Sequence, residues 1–480
     1  MHSCLVKYNI PFLLVLVASW SGVMAQPTPW TLDACIRQAL KENVLLNEQE
    51  TNNAVNAINF TLAGAAAIPN LSFTDGQTFN YGRYENPASF SYSNRGIGAN
   101  TAALASTMTL YNGGRIKKGI RQADINIKTG NLDIEKAKND LTLSVVAAFV
   151  QVLYSYEAIE IAQTVVAADT EHLNYTAKYV RAGSLPQSNL YLIQAQLATD
   201  RAAVVAAENQ LMLAKLALLQ LMEIPETADF DVQRPSDAVS VPDIGKDSHD
   251  IFEIAKAFLP EIKSAALKTE AASLGLDIAR TEHLPKLTLG GTLGTNYSSL
   301  DYLYGYRYST LNQQIGYLQS NPTDAVYGPV TNVVETANSY SPLRQMGDNL
   351  NLGMSLNLTV PIFNNLQYRS DVKRAEVALQ VAKWVEKDIS NQLRKAIELA
   401  YTDRLAAAKN LVAAREQLAA ETKSFHDMEI KFKAGIENAT NFFVEQSNYN
   451  KSVASLSSAK YEYIYKTKII NFYLGNSINP

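Results

Sequence analysis

Cysteine is almost absent, Cys4 and Cys35 being the only two in 480 residues. Cys4 falls in a segment that reads as a cleaved leader, so the mature chain keeps one thiol and no internal disulfide. Cys35 lies in Thr31-Leu32-Asp33-Ala34-Cys35-Ile36 with no ligand-type neighbour, which predicts plain core packing. Histidine is as sparse: His2, His172, His249, His283 and His426 are scattered, and HExxH, GxSxG and the phosphate-cradling glycine loop are all missing. The reading is therefore of a chain that is not an enzyme and needs no cofactor. Charge of one sign is not in excess: 42 basic against 46 acidic residues leave a net charge of -4 with no basic stripe, which argues against nucleic acid as a partner. Beyond the leader no run approaches the roughly 20 apolar residues of a membrane-spanning helix, so a membrane-bound form must use strands.

Residues 1–25 read as an export signal: Lys7, an apolar core from Ile10 to Val17, and Val23-Met24-Ala25 as a small-residue cleavage site before Gln26. The remainder is duplicated. Leu110-Tyr111-Asn112-Gly113-Gly114-Arg115 matches Ile362-Phe363-Asn364-Asn365-Leu366-Gln367 at an offset of 252, and Ala182-Gly183 matches Ala434-Gly435 at the same offset. Upstream, Ile68-Pro69-Asn70-Leu71 matches Leu284-Pro285-Lys286-Leu287 at an offset of 216, so the second half carries 36 extra residues. The expected division is 26–242 for the first repeat and 243–480 for the second. The insertion falls at about 297–348, a segment rich in tyrosine at 302, 304, 306, 308, 317, 327 and 340, without a periodic pattern, and it reads as a long loop.

From Ile120 apolar or small residues recur as Ala123, Ile127, Gly130, Ile134, Ala137, Leu141, Ser144 and Ala148, a heptad seam. The second half repeats it as Val372, Ala375, Leu379, Ala382, Glu386, Ile389, Leu393, Ala396 and Ala400, broken only at Glu386. An unbroken helix from about Arg115 to Ala182 would be about 100 Å long at about 1.5 Å per residue. Gly183 and Gly435 would end the two long helices, and Ser188 or Asn189 would cap the next one. Thr31 to Ala67 and about His249 to His283 also have a helical period.

Between the helices the period becomes two. Leu350, Leu352, Met354, Leu356, Leu358 and Val360 alternate with small polar residues, as a lipid-facing strand does. Leu287–Leu293, Leu71–Phe73 and Leu104–Leu110 alternate similarly, giving four strands per chain. Four strands cannot close a barrel, and open edges cannot face lipid, so the chain must oligomerise. Two copies would supply eight strands and three would supply twelve; the pattern alone leaves both open.

On these residues the chain resembles the TolC-like outer membrane efflux protein family over essentially its whole mature length. Trp30 to Asn43 is similar to the family's opening helix, Pro69-Asn70-Leu71 and Pro285-Lys286-Leu287 to its barrel entries, and Val360-Pro361-Ile362-Phe363-Asn364 to a barrel exit. Arg181-Ala182-Gly183 with Asn189-Leu190 resembles its periplasmic tip. The resemblance implies an α+β membrane protein: a homotrimer with a twelve-stranded outer-membrane β-barrel, four strands per chain, continuing into a periplasmic α-helical barrel of coiled-coil hairpins. It also implies a passive conduit in a tripartite efflux system, partnered by a periplasmic adaptor and an inner-membrane pump, for small toxic solutes such as drugs or metals.

By position, the adaptor-facing candidates are Arg181, Gly183, Ser188, Asn189 and Leu190 at the first tip. Lys433, Gly435, Thr440, Asn441 and Phe442 are their counterparts at the second. The glycines and polar residues are equally explained as turning and capping the hairpins. Glu437 stands where the family has a gating arginine and Asn441 where aspartate is common, so the closing network departs from the pattern. Glu437 and Glu445 could form acidic rings at a lumen constriction, or lie on solvated faces. The tyrosine-rich insertion could be a plug or recognition loop, or a surface loop with tyrosines at headgroup level. The rivals are an outer-membrane component of type I protein secretion and an exported trimeric coiled-coil stalk.

Overall fold

The computed structural model describes residues 29–85, 92–225, 230–234 and 245–476. The leader 1–25 and the boundary between the expected repeats at 242 and 243 lie outside the described residues.

Helices dominate, and their bounds recur at fixed offsets. The chain opens with α1 (Leu32–Glu42) and α2 (Val44–Ala65), two helices where the period suggested one. The break is at Asn43, whose side-chain Oδ1 accepts from the backbone N–H of Leu45 and Leu46 and so caps α2. The strands β1 (Asn70–Glu85) and β2 (Tyr92–Tyr111) follow, then α3 (Arg115–Arg181) and α4 (Gln187–Leu221). The second half runs α5 (Ser248–Phe258), α6 (Pro260–Ala279), a short 3-10 turn (Arg280–His283) and β3 (Lys286–Ser298). Here Pro260 makes the break, because the residue before a proline is driven out of the helical region. After the inserted segment come β6 (Asn351–Thr359), α8 (Gln367–Lys433) and α9 (Ala439–Tyr473). Both α3 and α8 have 67 residues, and both α4 and α9 have 35.

The insertion corrects the expectation of a structureless loop. It folds as an antiparallel ribbon of β4 (Tyr302–Leu318) and β5 (Asn321–Ser339), followed by the short helix α7 (Pro342–Asp348). Tyr302, Tyr304, Tyr306 and Tyr308 stand on one face of β4 and are exposed. Because neither face of the ribbon is buried, the inside–outside contrast by which a strand is recognised in sequence is missing. The helix α7 is pinned to β3 by Gln345, which is fully buried; its side chain accepts from Ser298 N–H and donates to Ser298 O at 3.1 Å, as a neighbouring strand would.

The chain divides into two compact units. One comprises 48–136 and 258–393. Its sheet is antiparallel in the order β1-β2-β3-β6, so β1 and β6 are the open edges. Registered pairs put Phe73, Leu104, Leu293 and Leu352 in one row across all four strands. A second row on that face is Leu71, Ser106, Gly291 and Met354. The opposite face carries Thr74, Ala103, Gly294 and Asn351 in one row, and Ser72, Ala105, Thr292 and Gly353 in the next. The apolar face is bare: Phe73 is 69 %, Leu352 78 % and Met354 79 % exposed. In the helices of this unit, Thr269 Oγ1 of α6 donates to Glu386 at 2.6 Å, which explains the one break in the second heptad seam. Asn53 of α2 packs so closely on Gly130 of α3 that a Cβ there would overlap its side chain, and it donates to Asn131 at 2.7 Å.

The other unit comprises the described residues within 29–47, 137–257 and 394–476. Its core joins Leu32, Cys35 and Ala39 of α1 to Val145, Val146, Phe149, Val152 and Leu153 of α3 and Leu218 and Leu219 of α4. Cys35 is fully buried, and burial pushes its thiol up to about 12, which fits the packing role. Trp30 crosses the segment after α4, donating to Asp231 O at 2.8 Å and accepting from Gln233 N–H at 2.9 Å. Both α3 and α4 hold an 18-residue window of mean hydropathy 1.4, long and apolar enough by composition to cross a membrane, contrary to the sequence reading. In α3 the valines and Phe149 face α1 and α4 in this core, so the apolar content there is spent on helix packing.

Candidate functional site

Each pair of long helices is joined by a turn built by glycine. Gly183 (φ +76°) and Gly435 (φ +72°) occupy the left-handed region, and nothing lies within 4 Å of a Cβ at either, so the constraint is the backbone angle and not space. Around Gly183, Ser184 N–H donates to Tyr179 O at 2.9 Å and Gly183 N–H to Val180 O at 3.0 Å. Ile436 and Gly435 repeat this on Lys431 and Phe432 at 2.9 and 3.0 Å, the paired bonds of a Schellman ending.

The caps differ from expectation. Neither Ser188 nor Asn189 caps α4: Pro186 occupies that position without a side-chain bond, and both lie in the first turn. In the second hairpin Asn438 caps α9, its side chain accepting from Asn441 N–H at 2.9 Å.

Beneath the turns an aromatic cluster ties the hairpins together. Phe442 is fully buried, stacked on Phe432 at 4.6 Å and edge-on to His172 of α3 at 4.7 Å, with Phe425 at 5.7 Å. Tyr175 of α3 donates its hydroxyl to Lys433 O at 3.1 Å. Phe442 is thus a packing residue with no exposed surface, which corrects its expected place among the adaptor-facing residues of the tip. Burial pulls His172 below the usual imidazole range, so it adds no cation at neutral pH.

The remaining candidates reach the surface. Arg181, Gly183, Ser188, Lys433, Gly435, Thr440 and Asn441 are exposed, while Asn189 and Leu190 are half-buried. Lys433 pairs with Glu429 one turn back at 2.7 Å, and Arg181 Nε donates to Ala177 O. Thr440 shares with Leu192, Phe443, Val444 and Lys451 a groove of about 370 Å³ between α4 and α9. Glu437 and Glu445 are not brought together: Glu437 accepts from Asn441 Nδ2 at 3.1 Å, and Glu445 accepts from Ser424 of α8. Among the described residues no cluster of three His, Cys, Asp or Glu side chains is arranged to hold a metal.

Sequence reasoning missed Asp169, Asp200 and Gln446. Asp169 of α3 is fully buried and accepts from Gln446 of α9, while Asp200 of α4 is held by Gln196 Nε2 at 3.2 and 3.0 Å. No local pattern marks them, since Asp169 and Gln446 are 277 residues apart.

The chain thus carries a sheet with one bare apolar face and two hairpins, each pairing a 67-residue helix with a 35-residue one. Residues 35–222 match the family model described as outer membrane efflux protein. The pyoverdine export outer membrane protein OpmQ of Pseudomonas putida is 26% identical over 260 residues, 52% of this chain and 53% of that protein. The match thus spans about half the length of that curated relative. The fold agrees with a CusC crystal structure at a TM-score of 0.74 and 15% identity, covering 95% of this chain and 96% of that one. It agrees with VceC of Vibrio cholerae at 0.73 and 14%, covering 93% and 97%.

Proposed function

We propose that three copies of this chain close a twelve-stranded barrel in the outer membrane, and that the protein is the passive conduit of a tripartite efflux system. The observation that carries this is the four-stranded sheet with one exposed apolar face and two unpaired edges. In lipid an unpaired backbone group costs several kcal/mol, so the edges must meet those of other copies, while the apolar rows suit contact with hydrocarbon. Eight strands from two copies would also close; the resemblance to the TolC-like family is what favours three.

Two repeats, 26–242 and 243–480, account for the equal lengths of α3 with α8 and α4 with α9 at one offset. In this reading α3–α4 and α8–α9 are the walls of the periplasmic tunnel. The exposed tip residues and the groove lined by Leu192, Thr440 and Val444 take a periplasmic adaptor, which links the channel to an inner-membrane pump. The cargo is a small solute, in keeping with the pyoverdine export named for OpmQ, and Glu437 and Glu445, repeated around the axis, bias the mouth toward cations. The ribbon of β4 and β5 lies on the extracellular side.

The test is charge neutralisation in the purified channel. Replacing Glu437 and Glu445 by glutamine should lower the cation preference of single-channel currents without abolishing them; unchanged selectivity in the double variant removes the ring, and absence of any current in the parent protein removes the conduit.

A further inference from the structure

The apolar rows do not exhaust the outward face of the sheet. Beyond Phe73, Leu104 and Leu293, on the side away from the helices, the same face continues as Asp75, Ala102 and Thr295, then as Gln77, Asn100 and Tyr297. Phe79 opposite Gly98 and Tyr81 opposite Gly96 follow on β1 and β2. Ser299 closes the β3 side, its backbone N–H donating to Gly98 O at 2.9 Å and its Oγ accepting from Gly98 N–H at 3.0 Å. Asp75 is exposed, and its carboxylate, which accepts from Asn100 Nδ2 at 2.9 Å, marks the row at which hydrocarbon has to end.

These residues enclose a hollow of about 430 Å³. Gln77, Phe79 and Tyr81 of β1 and Tyr297 of β3 wall it, and Gly96 and Gly98 of β2 form its floor. A Cβ on Gly98 would stand 3.2 Å from Phe79 Cε1, and one on Gly96 3.9 Å from Tyr81 Cδ2, so both rings lie against bare backbone. Their other sides are open, Phe79 being 79 % and Tyr81 82 % exposed. Arg83 stands two residues further along the same face, its guanidinium held 4.6 Å over the ring of Tyr92.

Depth decides what covers the rings. At about 3.3 Å per residue and a strand tilt of about 35–45°, Gln77 lies about 5 Å and Tyr81 about 15 Å beyond Asp75 along the membrane normal. A phospholipid headgroup layer is only about 5–8 Å deep on each side of the hydrocarbon. An aromatic girdle at headgroup level therefore accounts for Tyr297, in the row of Gln77, but Phe79 and Tyr81 stand outside that layer. Their occupant must reach further from the hydrocarbon than a phospholipid does.

We propose that this hollow binds the saccharide headgroup of an outer-leaflet glycolipid. The proposal rests on the reading above that the apolar rows meet hydrocarbon. A pyranose ring has a face of C–H bonds and a rim of hydroxyls. The C–H face stacks on the open sides of Phe79 and Tyr81, whose ring faces carry negative charge density. The amide of Gln77 and the hydroxyls of Tyr297 and Ser299 exchange hydrogen bonds with the rim. Arg83, beyond Tyr81, is placed for a phosphate carried on the sugar.

The test is saturation-transfer NMR on the full chain in a detergent without a sugar headgroup, with the deacylated core oligosaccharide of lipopolysaccharide as the probe. Irradiating the aromatic protons of the parent should transfer saturation to the C–H protons of the sugar. The combined variant Phe79→Leu with Tyr81→Leu keeps apolar side chains but no ring face, and should bind about tenfold more weakly. Arg83→Gln should weaken binding of the phosphorylated oligosaccharide and leave that of its dephosphorylated form unchanged. Heat-modifiable migration reports the folding of each variant. No transfer in the parent overturns the proposal, which is also the result expected if the ribbon of a neighbouring copy fills the hollow. Equal binding by the leucine variant overturns it, as does equal binding of maltoheptaose or of glycerophosphoethanolamine, which would leave an unselective aromatic surface. A parent chain absent from the outer-membrane fraction sinks the membrane reading and the site with it, whereas one recovered there that gives no transfer sinks the site alone.

Discussion

Asn43 and Leu259 hold nearly the same backbone angles, φ -61° and ψ 126° against φ -62° and ψ 133°, and each ends an 11-residue helix. The geometry is common but the chemistry is not. Asn43 makes the break by capping α2 with its own side chain, at 3.1 Å to Leu45 N–H and 3.3 Å to Leu46 N–H, whereas Leu259 is forced out of the helix by Pro260. Asn43→Ala should therefore destabilise its half by about 1 kcal/mol. Thermal melting of the solubilised protein checks this, and a melting point equal to the parent's would show that the cap contributes nothing.

The two faces of the sheet should respond oppositely to charge. Leu352→Arg puts a guanidinium in the bare apolar row beside Leu293, and near the membrane midplane this costs about 2–4 kcal/mol. Asn351→Arg lies on the small polar face and should be tolerated. The yield of heat-modifiable protein in the outer-membrane fraction distinguishes the variants; equal yields would mean that the apolar face is not the lipid face.

Phe442 should behave as a core residue. Its ring is enclosed by Phe432, Phe425 and His172, so Phe442→Ala removes a buried aromatic at about 3–5 kcal/mol. Exposed Asn441→Ala loses only the bond to Glu437 and should change stability little. Limited proteolysis at the tips is the measurement; cleavage of both variants at one rate would deny the aromatic cluster its role.

Cys35 should be silent toward thiol reagents in the folded protein. Its thiol is raised to about 12, so the reactive thiolate is scarce at pH 8, and the side chain is fully enclosed. Stoichiometric labelling should require denaturant, and rapid labelling of the native protein would show that the packing of α1 on α3 is open.

Much of this was legible in the sequence because it rests on local periodicity. The heptad steps from Ile120 mark a helix whose bounds, Arg115–Arg181, lie within one residue of the expected Arg115 to Ala182, and the alternation around Leu352 marks β6. Gly183 and Gly435 were readable as turns because a left-handed angle selects glycine. What escaped depends on contacts distant in the chain. The ribbon of β4 and β5 shows no contrast between its faces, since Tyr304 and Tyr306 on one side and Arg307 and Leu311 on the other are all exposed. Phe442 follows a polar cap and looks like a tip residue until α3 and α8 are folded over it. Asp169 carries no sign of burial in its own segment, and only the return of α4 and α9 encloses it.

The most direct test of the central claim is the mass of the assembly, extracted from the outer-membrane fraction in detergent and measured together with its conductance in planar bilayers. The account predicts three copies per particle and discrete, cation-preferring currents. A monomeric particle without conductance would contradict it, because the edges of β1 and β6 would then have no partner in the membrane.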